Sequence, residues 1–107
     1  MAATLPMLLA SIEALAPRIL ANADQSDAMR HLAPESAQAM AAAGLYRVAV
    51  PRSLGGFECH PVDQIKVIEA VADLHGSSGW NLMIGIEVMG ILGAVYRRDV
   101  MAQLYED

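Results

Sequence analysis

The chain has one cysteine, one tryptophan and one phenylalanine, and aromatic residues make up only 5% of it. A single cysteine, Cys59, cannot close an internal disulfide. No CxxC, HExxH or comparable ligand spacing accompanies it, and His31, His60 and His75 lie far apart, so no metal site is expected. Basic residues are also scarce. Seven Lys and Arg face twelve Asp and Glu, for a net charge of −5. That balance argues against a phosphate-backbone binder, and no nucleic-acid partner is expected. The apolar start carries no Lys or Arg before it, and Glu13 interrupts it, so no secretory signal is expected. The composition fits a reducing cytoplasm, the expected location.

One long apolar run exists, from Trp80 to Tyr96. It falls short of the ~20 residues of a membrane span. Glu87 stands at its middle, and a central carboxylate costs about 2.5–3.5 kcal/mol on insertion scales. The expectation is a helix buried on most sides of a bundle, with no membrane partner. What the chain has in plenty is apolar surface. It has 107 residues, 55% of them hydrophobic, and a mean hydropathy of +0.36. Disorder is excluded, and the length suits a single core with a radius of gyration of roughly 13 Å. The apolar surplus points to surface meant for a partner.

Periodicity predicts an all-α fold of four to five helices filling residues 1–107. Leu5, Leu8, Leu9, Ile12, Leu15, Ile19 and Leu20 recur at steps of three and four, so a first helix runs from about Leu5 into the twenties. Pro17 should kink it without ending the stripe. The polar NADQSDAMRH lets that helix end or fray. Pro34 and Glu35 open a short second helix, and Gly44 stands at its C′ position. Val48 and Val50 could form a brief extended piece inside an ordered irregular loop to His60. Pro61 opens a third helix with an apolar face of Val62, Ile65, Val67, Ile68, Val71, Ala72 and Leu74, closed by Gly76. Ser77 or Ser78 can cap a fourth helix running to about Tyr96. Its glycines, Gly79, Gly85, Gly90 and Gly93, admit close approach. Asp99 caps a last amphipathic stretch that stops unfinished, so the chain is expected to be a piece of a longer helical protein.

Ala43-Gly44-Leu45-Tyr46, then Val50-Pro51-Arg52-x-x-Gly55-Gly56, the helix VIEAVADLHG and the turn Gly76-Ser77-Ser78-Gly79-Trp80 occur in an order that resembles the N-terminal helical domain of the acyl-CoA dehydrogenase family. Leu32-Ala33-Pro34-Glu35 is similar to that family's second-helix start. The resemblance covers nearly the whole chain. It implies a parent with a middle β-domain and a C-terminal helical bundle, both absent from this chain. FAD, or reduced flavin, would lie between those two parts, in a homo-oligomer. The activity implied first is FAD-dependent oxidation of the CH–CH group of an acyl thioester. The Gly-Ser-Ser-Gly-Trp turn is similar to a branch of flavin-dependent aromatic hydroxylases, which makes monooxygenation the alternative. A stand-alone helical interaction module is the third reading.

No catalytic residue can be carried over, since the dehydrogenase base lies beyond this domain. Some hydroxylases of the family carry a histidine on the fourth helix near the place of Glu87, and this chain departs there. Trp80, Asn81 and Ile84 are expected to line the small-molecule substrate cavity. Trp80 would offer a flat apolar wall and Asn81 a donor and an acceptor, although Trp80 could equally anchor the core. Glu87 is expected to face solvent or a partner. Glu69 and Asp73 read as a solvated face, and Cys59 as structural. Gly55–Gly56 lacks the spacing of a phosphate loop, so the isolated chain is expected to hold no flavin.

Overall fold

The computed structural model describes residues 4–95, 99–100 and 103–104. Up to Val95 the described residues form five α-helices and two 3₁₀ turns, and there is no strand among the described residues. Helix α1 (Thr4–Ala21) runs through Pro17 without a break. Pro17 and Glu13, whose carbonyl the proline leaves without its helical partner, are both exposed, so that carbonyl can be solvated. The predicted stripe faces inward, with Leu8, Ile12 and Ile19 buried and Leu5, Leu9 and Leu15 packed against them, while Leu20 lies outside. By length and composition alone α1 could cross a membrane, as many core helices could.

Helix α1 ends where the polar stretch begins, as expected, but that stretch then forms a separate helix, α2 (Ala23–Met29). Its hold is a serine. Ser26 Oγ donates to the Asn22 carbonyl at 2.9 Å and accepts from the Ala33 backbone N–H at 2.9 Å, binding the start of α2 to the segment after it. Arg30 ends α2 in the left-handed region, at φ 58°. Helix α3 (Pro34–Ala42) starts at its proline as expected, and Gly44 takes φ 79° just beyond its end.

From Leu45 to His60 the chain is irregular but tied together by backbone hydrogen bonds. The 3₁₀ turns Leu45–Arg47 and Arg52–Leu54 flank Val48 and Val50. The carbonyls of Arg47, Val50 and Val48 accept from the backbone N–H groups of Phe57, Glu58 and Cys59 at 3.1, 3.0 and 2.8 Å. The extended piece anticipated at Val48 and Val50 does not form: Val48 is right-handed helical, at φ −63° and ψ −29°, and lies in a turn, so the returning segment meets these carbonyls without making a strand.

Helix α4 (Pro61–Leu74) is capped by His60, whose Nδ1 accepts from the Val62 N–H. Only part of its expected face is covered. Val67 and Val71 are buried and Ile68 and Leu74 pack beside them, but Val62 and Ile65 are exposed. Helix α5 (Gly76–Val95) follows after a single extended residue, His75. Gly76 therefore opens α5 rather than closing α4. Ser77 and Ser78 lie inside its first turn rather than at a cap. Leu82 and Ile86 reach the core, whereas Trp80, Ile84, Val88 and Ile91 form an exposed face. The expectation of a helix buried on most sides is corrected here. The molecule is a slab of 39 × 30 × 18 Å with a radius of gyration of 13.6 Å. Helices pack about 8–10 Å apart, so a slab this thin leaves most helices one face outward. Tyr96, where α5 was expected to end, and most of the stretch after Asp99 lie outside the described residues; Asp99, Val100, Gln103 and Leu104 are helical.

Candidate functional site

A groove of about 920 Å³ opens between the α2–α3 segment and the first turns of α5. That volume is in the range of small-molecule sites. Trp80, Asn81, Ile84 and Gly85 form its α5 wall, Tyr46 lies at the base of that wall, and Asp27, Arg30, His31 and Gln38 are among the residues opposite. The three residues expected at a cavity share this groove. Trp80 is 65% exposed, which removes the alternative of a core anchor within this domain. Glu87 is exposed and lies outside the groove.

Two long-range side-chain links shape the groove. The Tyr46 hydroxyl donates to Asn81 Oδ1 at 2.6 Å, and the Tyr46 ring lies against Gly85, where an added Cβ would meet Cδ1 at 2.5 Å. A close approach of this kind needs glycine. Burial pushes the Tyr46 phenol above its ordinary range. At the other end, His75 bridges Asp27 and Ser78. Its Nε2 lies 3.0 Å from Asp27 Oδ1 and its Nδ1 2.7 Å from Ser78 Oγ. An Nε2–H donating to the carboxylate leaves Nδ1 to accept from the serine hydroxyl. The order Asp, His, Ser has the form of a nucleophile relay, but Ser78 is 1% exposed and no substrate can reach it. The link is a clamp between α2 and the α4–α5 junction.

Sequence reasoning missed Tyr46, Asp27 and the role of His75. The partners lie 35 and 48 residues apart, and only the His75-x-x-Ser78 spacing is local. Cys59 is half-buried, and burial, with the Asp63 carboxylate second, raises its thiol pKa, as suits a packing role. Glu69 and Asp73 are exposed. Among the described residues, no three His, Cys, Asp or Glu gather as metal ligands.

The profile of the acyl-CoA dehydrogenase N-terminal domain matches residues 4–97. The chain belongs to this family. Its similar proteins include the indole-3-acetate monooxygenase of Pseudomonas putida, 32% identical over 79 residues, which are 74% of this chain and 20% of that protein. The oxygenase subunit HsaA of a flavin-dependent monooxygenase from Rhodococcus jostii is 28% identical over 76 residues, 70% of this chain and 20% of its own. A pigment production hydroxylase of Rhodococcus erythropolis is 31% identical over 86 residues, 80% of this chain and 20% of its own. The domain thus spans about a fifth of the length of these relatives. No solved structure matches it significantly.

Proposed function

We propose that this domain supplies one wall of the substrate cavity in a flavin-dependent monooxygenase that oxygenates an aromatic ring. The observation that carries this reading is the similarity to monooxygenases and a hydroxylase across most of the chain. The groove supports it. Trp80 presents a flat exposed ring, and Asn81 beside it presents an amide, a pairing suited to a planar, partly polar substrate.

The two glycines at positive φ, Gly44 and Gly55, lie against the Phe57 and Arg47 side chains. In this reading the rest of the polypeptide holds the flavin, and this domain binds and orients the arene and keeps water from it. The parent is a cytoplasmic homo-oligomer in the same reading.

The second reading, acyl-thioester dehydrogenation, is favoured by the family profile and by the aliphatic lining from Ile84, Ala37 and Ala41. The deciding experiment supplies the full-length parent with reduced flavin, ¹⁸O₂ and candidate arenes. Label in a hydroxylated product is expected. Electron transfer from an acyl thioester to an artificial acceptor, with no label in any arene, would establish the second reading instead. Trp80→Ala in the same parent should raise KM at unchanged thermal stability, since a lost apolar wall costs about 1–3 kcal/mol.

A further inference from the structure

Asn81 can turn either end of its amide toward the groove, and the two ends recognise opposite chemistry. The structure removes that ambiguity. Asn81 Oδ1 is occupied by the Tyr46 hydroxyl at 2.6 Å, a distance typical of a good O–H···O bond. The Tyr46 ring lies against Gly85, one turn along the same helix, where an added Cβ would displace it. Burial raises the phenol pKa, so the hydroxyl keeps the proton that it donates to Asn81. With the oxygen turned to Tyr46, the amide's N–H donors are the end left for a ligand, on the same wall as the exposed Trp80 ring.

We propose that Tyr46 is a positioning residue that locks the Asn81 amide with its N–H donors toward the groove, so that the site selects flat arenes carrying an oxygen acceptor. The ring lies on Trp80, and the acceptor oxygen takes a hydrogen bond from Asn81 Nδ2. Arenes without an acceptor leave that donor unpaired and are held less tightly. This inference rests on the reading of the groove as a substrate wall. Its test uses neither flavin nor oxygen, so it fails or stands separately from the chemistry of the parent.

Trp80 is the single tryptophan of the chain, and its indole N–H therefore gives one unmistakable side-chain signal in a ¹H–¹⁵N correlation spectrum. The 107-residue chain is titrated with acetophenone, which carries a carbonyl, and with ethylbenzene, its acceptor-free counterpart. Both should shift the Trp80 signal, with acetophenone binding about 3- to 10-fold more tightly, the range of one net hydrogen bond. Tyr46→Phe frees the amide to turn and should shrink that preference while leaving ethylbenzene affinity unchanged, an effect that loss of packing alone would not produce. Asn81→Asp keeps the acceptor for Tyr46 but removes the donor, and should abolish the preference even if Tyr46→Phe fails to fold. Equal affinities in the wild type, an undiminished preference in either folded variant, or no shift of the Trp80 signal by any arene would overturn the proposal.

Discussion

At the scale of single residues, the site depends on one missing side chain. Gly85 lets the Tyr46 ring lie against α5, and nothing larger than hydrogen fits there without displacing the ring. A Cβ at that position would stand 2.5 Å from Tyr46 Cδ1. Gly85→Ala therefore sets two effects against each other. Alanine favours the helix over glycine by about 1 kcal/mol, whereas forcing a half-buried ring aside costs typically about 1–3 kcal/mol. The expected outcome is a small net destabilisation in denaturant melts, together with loss of the Tyr46–Asn81 bond, visible as a changed Asn81 side-chain amide signal. A more stable protein with that signal unchanged would show that the ring has room to spare. Gly85 was legible in the sequence as a place of close approach. That the approaching group is Tyr46 was not, because no local pattern connects residues 35 apart.

At the scale of elements, the helices declared themselves through proline, glycine and periodicity. Pro34 and Pro61 begin α3 and α4, and Gly44 follows α3 at positive φ. The errors fall where side chains far apart decide the outcome. The stretch after Ala21 is polar and reads as a helix end, yet Ser26 bonds on both sides of α2 and Asp27 is held by His75. At the α4–α5 junction, glycine and serine suggested a stop and a cap, but the break falls one residue earlier, at His75. The outward faces of α4 and α5 were misjudged for a different reason: periodicity shows which residues are apolar, and the thinness of the slab decides which of them are covered. The His75 clamp yields a direct prediction. His75→Ala removes both of its side-chain bonds, so unfolding free energy should fall by about 1–2 kcal/mol. Hydrogen exchange should quicken in Ala23–Met29 more than in α1. A uniform rise across the chain, or none, would show that α2 is held by packing alone.

At the scale of the whole molecule, apolar surface exceeds what one thin domain can cover. Trp80, Ile84, Val88 and Ile91 on α5 and Val62 and Ile65 on α4 are each at least 43% exposed. Surfaces of this kind mark interfaces or aggregate. The isolated chain should therefore self-associate in sedimentation experiments at high concentration, and Val88→Glu with Ile91→Glu should return it toward monomer. A wild-type chain that stays monomeric throughout would count against an interface on α5. The one-residue connection between α4 and α5 bears on how such a domain can change length over time. Each residue of an α-helix turns its successors by about 100°. One residue added within the first turn of α5 would swing Trp80, Asn81 and Ile84 about a quarter turn relative to the His75–Ser78 attachment, breaking either the clamp or the groove. Natural variation in length should therefore spare residues 74–81 and collect instead at the exposed turn around Ser53 and Gly55, where an insertion changes no helix phase.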